Sequence, residues 1–162
     1  MRTRTMIAAA VLAAACALTA CTGGSSGSRH KLYDSIDALA ADSSAIVLGE
    51  VARQRIEGDS TVSSVVVESA PTNPQLGAEV AGGASAIEPG DVVEVRQMTA
   101  PYLVSGGQYA LFLTPTMLEG AAASQYYVTG AVAGIYAREG DSLHRVALDS
   151  GDDLPETIQL AD

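Results

Sequence analysis

The chain has no tryptophan, one phenylalanine, one lysine and two cysteines among its 162 residues. Two cysteines exclude a disulfide-stapled scaffold. Cationic residues are scarce, nine against 19 acidic ones, giving a formal charge of −10. That balance excludes a nucleic-acid surface, which needs clustered Lys and Arg to neutralise phosphates. Histidine is nearly absent as well. Any Ser-His-Asp triad would have to use His30 or His144, and no Cys/His set has the spacing of a zinc site. Phosphate-binding glycine loops, dinucleotide fingerprints, heptads and repeats of 20–50 residues are missing too. No apolar run is long enough for a permanent transmembrane helix. The longest, Met6–Ala20, has fifteen residues with one polar member, Thr19, where roughly 20 are needed to cross about 30 Å of hydrocarbon.

What the amino terminus does contain reads as an export signal. Arg2 and Arg4 form a short positive region, and Met6–Ala20 fits the apolar core of a signal peptide. The segment ends in Leu18-Thr19-Ala20-Cys21. This resembles the lipobox of bacterial lipoproteins: an aliphatic residue, two small residues, then cysteine. The resemblance implies a diacylglyceryl group on the Cys21 thiol, cleavage before Cys21, and acylation of the freed amine. Two competing readings are ordinary secretion with an incidental cysteine, and modification at Cys16, which would shorten the apolar core and leave an alanine three residues upstream. Loss of Cys16 with the leader leaves one thiol in an oxidising compartment, and lipidation accounts for it.

Three segments follow from this reading: a signal peptide over 1–20, a lipidated cysteine with a Gly/Ser tether over 21–31, and one folded domain over 32–162. Stable attachment needs two or more acyl chains, at about 0.8 kcal/mol per buried CH₂. Without Arg2 and Arg4 the remainder carries seven basic and 19 acidic residues, a formal charge of −12. The expected location is the extracytoplasmic face of a bacterial membrane.

Over 32–162 the pattern is mainly β. Asp34 or Ser35 is placed to cap a short helix with Leu32, Ile36 and Leu39 on one stripe. Ala45-Ile46-Val47-Leu48 is a continuous apolar run, expected of a strand buried on both faces, and Gly49 inside it marks a bulge or bend. A turn at Glu57–Ser60 leads to a valine-rich strand, Thr61–Ser69. Ala70–Gly90 reads as a long loop with three prolines and four glycines. Further strands are expected over Asp91–Met98, Gln108–Thr114 and Gln125–Thr129, then a hairpin of Gly134–Arg138 and Leu143–Leu148. Pro155–Leu160 reads as one short helical turn. A small barrel, closed or partly open, with five to seven strands and one N-terminal helix is the expected fold.

The order "IVLGEV" (Ile46–Val51), valine-rich strand, "GxYALFL" (Gly107–Leu113) and "GIY" (Gly134–Tyr136) resembles small exported bacterial lipoproteins of unknown function. Their domains are similar to OB-like barrels and, more distantly, to netrin-like protease inhibitors. The resemblance covers Ser35–Ala147, about two-thirds of the chain. Netrin-like inhibitors use disulfides and a free amino-terminal cysteine, which an acylated Cys21 does not offer.

Candidate functional residues are few. Asp149, Asp152 and Asp153 cluster as oxygen donors, but without the spacing of a twelve-residue calcium loop; a solvated acidic turn is the plainer reading. Glu50, Glu68 and Glu94 lie in strands and could share a face, as a carboxylate enzyme would require. Tyr102, Tyr109, Tyr126, Tyr127 and Tyr136 could stack on a sugar or a partner side chain. The expectation is a non-catalytic binding or accessory module, held to the membrane through Cys21, with an envelope protein or glycan as partner, no nucleic acid, no metal and no cofactor. A netrin-like inhibitor and a carboxylate-based envelope enzyme are the alternatives.

Overall fold

The computed structural model describes residues 31–71 and 87–160. The expected leader, Cys21, the tether up to His30 and most of the 70–90 loop lie outside the described residues. One helix, α1 (Ile36–Ala41), precedes eight strands: β1 (Ala45–Glu57), β2 (Ser60–Ser69), β3 (Val92–Gln97), β4 (Gln108–Pro115), β5 (Gln125–Val128), β6 (Ile135–Glu139), β7 (Ser142–Arg145) and β8 (Thr157–Gln159). Their order in the sheet is β1-β2-β3-β5-β4-β6-β7-β8, and an additional β1–β4 pairing closes the first five into a barrel. All neighbours are antiparallel except β3 and β5, which run parallel. The expected OB-like barrel is present, with three further strands extending its sheet.

Closure depends on β1. Its first half, Ala45–Glu50, pairs with β4, and Leu48–Glu57 pairs with β2. Register shifts at Leu48/Gly49 and Val51/Arg53 turn the strand between its partners. Gly49 is required at the first shift: a Cβ there would lie 2.3 Å from the Val66 carbonyl oxygen.

The first half of β1 and most of β4 are buried on both faces, so alternate residues feed two cores. Val47, Val51, Tyr109, Leu111 and Leu113 fill the barrel with Val65, Val95 and Val128. Ile46, Leu48, Ala110 and Phe112 face outward and pack on Ile36, Leu39, Tyr136, Leu143 and Ile158. The rings of Phe112 and Tyr136 meet at 6.2 Å, tilted by 57°. This second core explains why α1 and β6–β8 stay with the barrel. Ser35 caps α1, its hydroxyl oxygen accepting from the Ala38 amide at 3.3 Å.

Between β3 and β4 the chain crosses one mouth of the barrel, and Leu103 plugs it from above. Two amides hold the plug. Gln97 Oε1 accepts from the Leu103 amide at 3.0 Å, and Gln54 Nε2 donates to the Leu103 carbonyl at 2.7 Å. The Tyr109 hydroxyl accepts from the Val104 amide at 3.1 Å.

Three local expectations need correcting. Pro155–Leu160 is not helical: Thr157, Ile158 and Gln159 form β8 on the open edge of β7, with Ile158 buried in the outer core and its neighbours exposed. Strand alternation and β-branching outweigh the helix-start signal of Pro155. Leu148 is not in a strand; β7 stops at Arg145, and Leu148–Ser150 is a 3₁₀ turn. Leu32 lies before the helix and is exposed, so Tyr33 takes the apolar role expected of it.

Replacing Gly49 by alanine should destabilise the protein by roughly 2–3 kcal/mol, because the clashing atom is backbone and cannot rotate away. Urea unfolding monitored by circular dichroism measures this, with the exposed Gln159→Ala as a near-neutral control.

Candidate functional site

The outer face of β1, β2, β3 and β5 carries the largest polar cluster described. On β1, Arg53, Arg55 and Glu57 alternate with residues of the other face. By register Arg55 lies opposite Val62, Val62 opposite Arg96, Glu94 opposite Gln125, and Arg96 opposite Tyr127. Four strands thus deliver their outward residues to one surface, as the twofold strand period requires. Val62 is fully buried beneath this layer.

The cluster is an ion network. Arg55 grips Glu94 bidentately, Nη1 to Oε1 at 2.6 Å and Nη2 to Oε2 at 2.7 Å. Its Nε donates to Glu57 Oε1 at 2.7 Å. Arg96 donates to the other oxygen of Glu57 and, through Nε, to Gln125 Oε1 at 2.7 Å. Gln125 Nε2 donates to Glu94 Oε2 at 3.2 Å. Arg53 reaches Ser64 Oγ at 3.3 Å. The Arg55 guanidinium holds the carboxyls of both Glu57 and Glu94 below the usual carboxylate range, and these partners raise the pKa of Arg55 in return. Arg55 and Arg96 against Glu57 and Glu94 balance within the hydrogen-bonded network, Arg53 lies beside it, and the face presents both donors and acceptors.

A groove of about 430 Å³ borders this face, lined by Lys31, Tyr33, Arg96, Met98, Tyr127 and Ala131, among others. Lys31 pairs with Asp42 and stands 5.2 Å from the Tyr33 ring centre. The Tyr33 hydroxyl donates to Asp42 Oδ2 at 3.1 Å. Burial, then the Asp42 contact, pushes the Tyr33 hydroxyl up to about 12. Lys31 and Tyr33 in turn hold Asp42 below the ordinary carboxylate range.

The residues singled out in the sequence are scattered. Glu50, Glu68 and Glu94 do share the outer face, but only Glu94 belongs to the network. Glu68 accepts from Arg138 at 2.8 Å and from Gln108 at 3.3 Å. Asp152 is buried rather than solvated: its Oδ1 accepts from the Tyr33 amide at 2.7 Å, and its carbonyl accepts from Arg145 at 3.0 Å. It ties the two ends of the domain together, while Asp149 and Asp153 are exposed. Among the described residues no three His, Cys, Asp or Glu side chains gather as a metal site. His144 is on the β7 surface, with Nδ1 3.2 Å from Thr157 Oγ1 and Nε2 4.0 Å from Glu139. Tyr136 is wholly buried and donates to the Pro155 carbonyl at 3.1 Å. Tyr109 belongs to the barrel core, Tyr126 packs beside it, and Tyr102 is exposed. Only Tyr127 joins the network's edge. His30 and Cys21 lie outside the described residues.

The network itself was missed in the sequence. Its signal was present: Arg53, Arg55 and Glu57 at alternating positions of one strand, with Glu94 and Arg96 at alternating positions of another. No protein-family model and no curated protein sequence matches this chain. Among the described residues, no helix is long and apolar enough to cross a membrane.

The network makes stability depend on pH in one direction. Glu57 and Glu94 have depressed folded-state pKa values, so their contribution is complete above the unfolded carboxylate value of about 4.3. It is lost as pH falls through the lower folded values. Wild type should therefore lose melting temperature more steeply below about pH 4 than Arg55→Gln does, the two curves converging at the acid end. Thermal melts across pH 2–7 check this, and parallel curves would refute it.

Proposed function

We propose that the protein is a lipid-anchored extracytoplasmic binding module of a bacterial envelope, taking a hydroxyl-rich wall glycan on the outer face of β1, β2, β3 and β5. The observation that carries this reading is the charge-balanced network of Arg55, Glu57, Glu94, Arg96 and Gln125. Sugar hydroxyls donate and accept together, which suits a surface alternating both kinds of group at little net charge. Tyr127 at its edge offers a ring face to a pyranose. OB-like barrels use the face of their second and third strands for oligosaccharides and oligonucleotides. That is support by fold analogy alone, and the formal charge of −10 weighs against the oligonucleotide. The reading gives no residue a catalytic step.

Location and attachment are supported by Leu18-Thr19-Ala20-Cys21 following the apolar Met6–Ala20. Two or more acyl chains on Cys21 hold the protein at the membrane where one would exchange. The short Gly/Ser tether keeps the folded body within reach of the wall.

Two measurements test this. Metabolic labelling with an alkyne fatty acid should tag wild type at Cys21, and Cys21→Ala should remove the tag and the membrane retention. For the ligand, purified full-length protein should co-sediment with isolated peptidoglycan sacculi. Tyr127→Ala should weaken that binding by about tenfold at unchanged melting temperature. Equal sedimentation of wild type and of an Arg96→Ala/Tyr127→Ala double variant that is folded by circular dichroism would overturn the glycan assignment.

A further inference from the structure

The barrel mouth plugged by Leu103 is ringed by exposed apolar side chains. Ile56 is 73% exposed, Met98 63%, Tyr102 44% and Val104 63%. They belong to one place in the fold. Ile56 lies opposite Thr61 and Thr61 opposite Gln97, after which Met98 leaves β3. The Tyr102 hydroxyl sits 3.5 Å from the Met98 carbonyl, and Val104 directly follows the buried plug.

Charge is also absent from this end. The crossing from Gln97 to Gly107 contains no charged residue, in a chain of formal charge −10. Of the six described cations, Lys31, Arg53, Arg55 and Arg96 lie on the face and groove beside the mouth. Asp42, Glu57 and Glu94 are their acidic partners, so the negative excess lies elsewhere. An anionic lipid surface repels that excess within a Debye length of about 8 Å and leaves the mouth free to approach.

The tether meets the body here too. Lys31 borders the groove together with Met98 and Thr99. Cys21 is ten residues upstream, and a Gly/Ser-rich chain of that length has an r.m.s. reach of about 16–19 Å. Tethering makes the encounter intramolecular, at an effective concentration on the order of millimolar, so even a small patch engages.

We infer that this mouth is a lipid-docking surface: Ile56, Met98 and Val104 enter the headgroup–acyl boundary, and Tyr102 sits at the interface. Lys31, whose ammonium has donors beyond the one given to Asp42, contacts lipid phosphates. This inference rests on the reading of Cys21 as acylated.

The test uses full-length lipidated protein in vesicles of phosphatidylglycerol and phosphatidylethanolamine. With Cys16 removed in the leader and Cys21 acylated, one introduced cysteine is the only free thiol. An environment-sensitive fluorophore is placed by Met98→Cys, Tyr102→Cys or Val104→Cys, and by Glu119→Cys at the opposite end of β4. Headgroup-nitroxide lipids should quench positions 98, 102 and 104 about threefold more than 119. Adding Met98→Glu and Val104→Glu to the variant labelled at 102 should abolish that excess without loss of the acyl chains. Equal quenching at all positions, or stronger quenching at 119, in protein that carries its acyl chains overturns the docking surface and leaves the anchor standing. Protein recovered without acyl chains overturns the anchor, and the docking inference falls with it.

Discussion

One strand serves two partners, and the rest of the fold follows from that. β1 gives its first half to β4 and its second half to β2, which converts a sheet with two edges into a closed barrel. A strand of 13 residues manages this only by bending, and the bend needs a residue without a side chain where two backbones nearly touch. Closure removes the edges along which barrel strands would otherwise recruit other chains. It also gives the first half of β1 and most of β4 two buried faces, so the barrel interior and the outer core share the same two strands. The helix and the last three strands are therefore attached through side-chain burial and the β4–β6 pairing together.

Much of this was readable in the residues. Ala45–Leu48 is apolar without alternation because both of its faces are covered, and Gly49 breaks the run where the register shifts. Tyr109, Leu111 and Leu113 alternate with Phe112 as a strand between two cores demands. Pro155–Leu160 is ambiguous in the sequence because a short segment carries too little periodicity to decide. The edge of β7 made it a strand, and an edge is a tertiary fact. Asp152 differs from its expected solvated turn for a related reason. Its carboxylate is buried because the Tyr33 amide, 119 residues away, needs an acceptor.

The network on the barrel face was harder to see. Each strand alone shows only a polar residue at every second position, which is also how an unremarkable solvated face looks. Register across four strands brings the arginines and glutamates into contact, and the bulges in β1 set its register against β2. A bidentate Arg–carboxylate pair held between further hydrogen bonds is more rigid than a single surface ion pair. The face is consequently pre-shaped, which would lower the ordering cost of recognising the proposed glycan there.

The clasp between Tyr33 and the 152–153 segment has a mechanical meaning. The Tyr33 amide donates to Asp152 and its carbonyl accepts from the Asp153 amide at 2.8 Å, so the chain is fastened on both sides of one residue. With the proposed attachment through Cys21, drag from the surroundings would enter at Lys31, two residues before that fastening. The pull is shared with the trailing segment before it reaches α1, whose six residues would peel turn by turn if they carried it alone. The proposed leash would thus be knotted to the far end of the domain it holds.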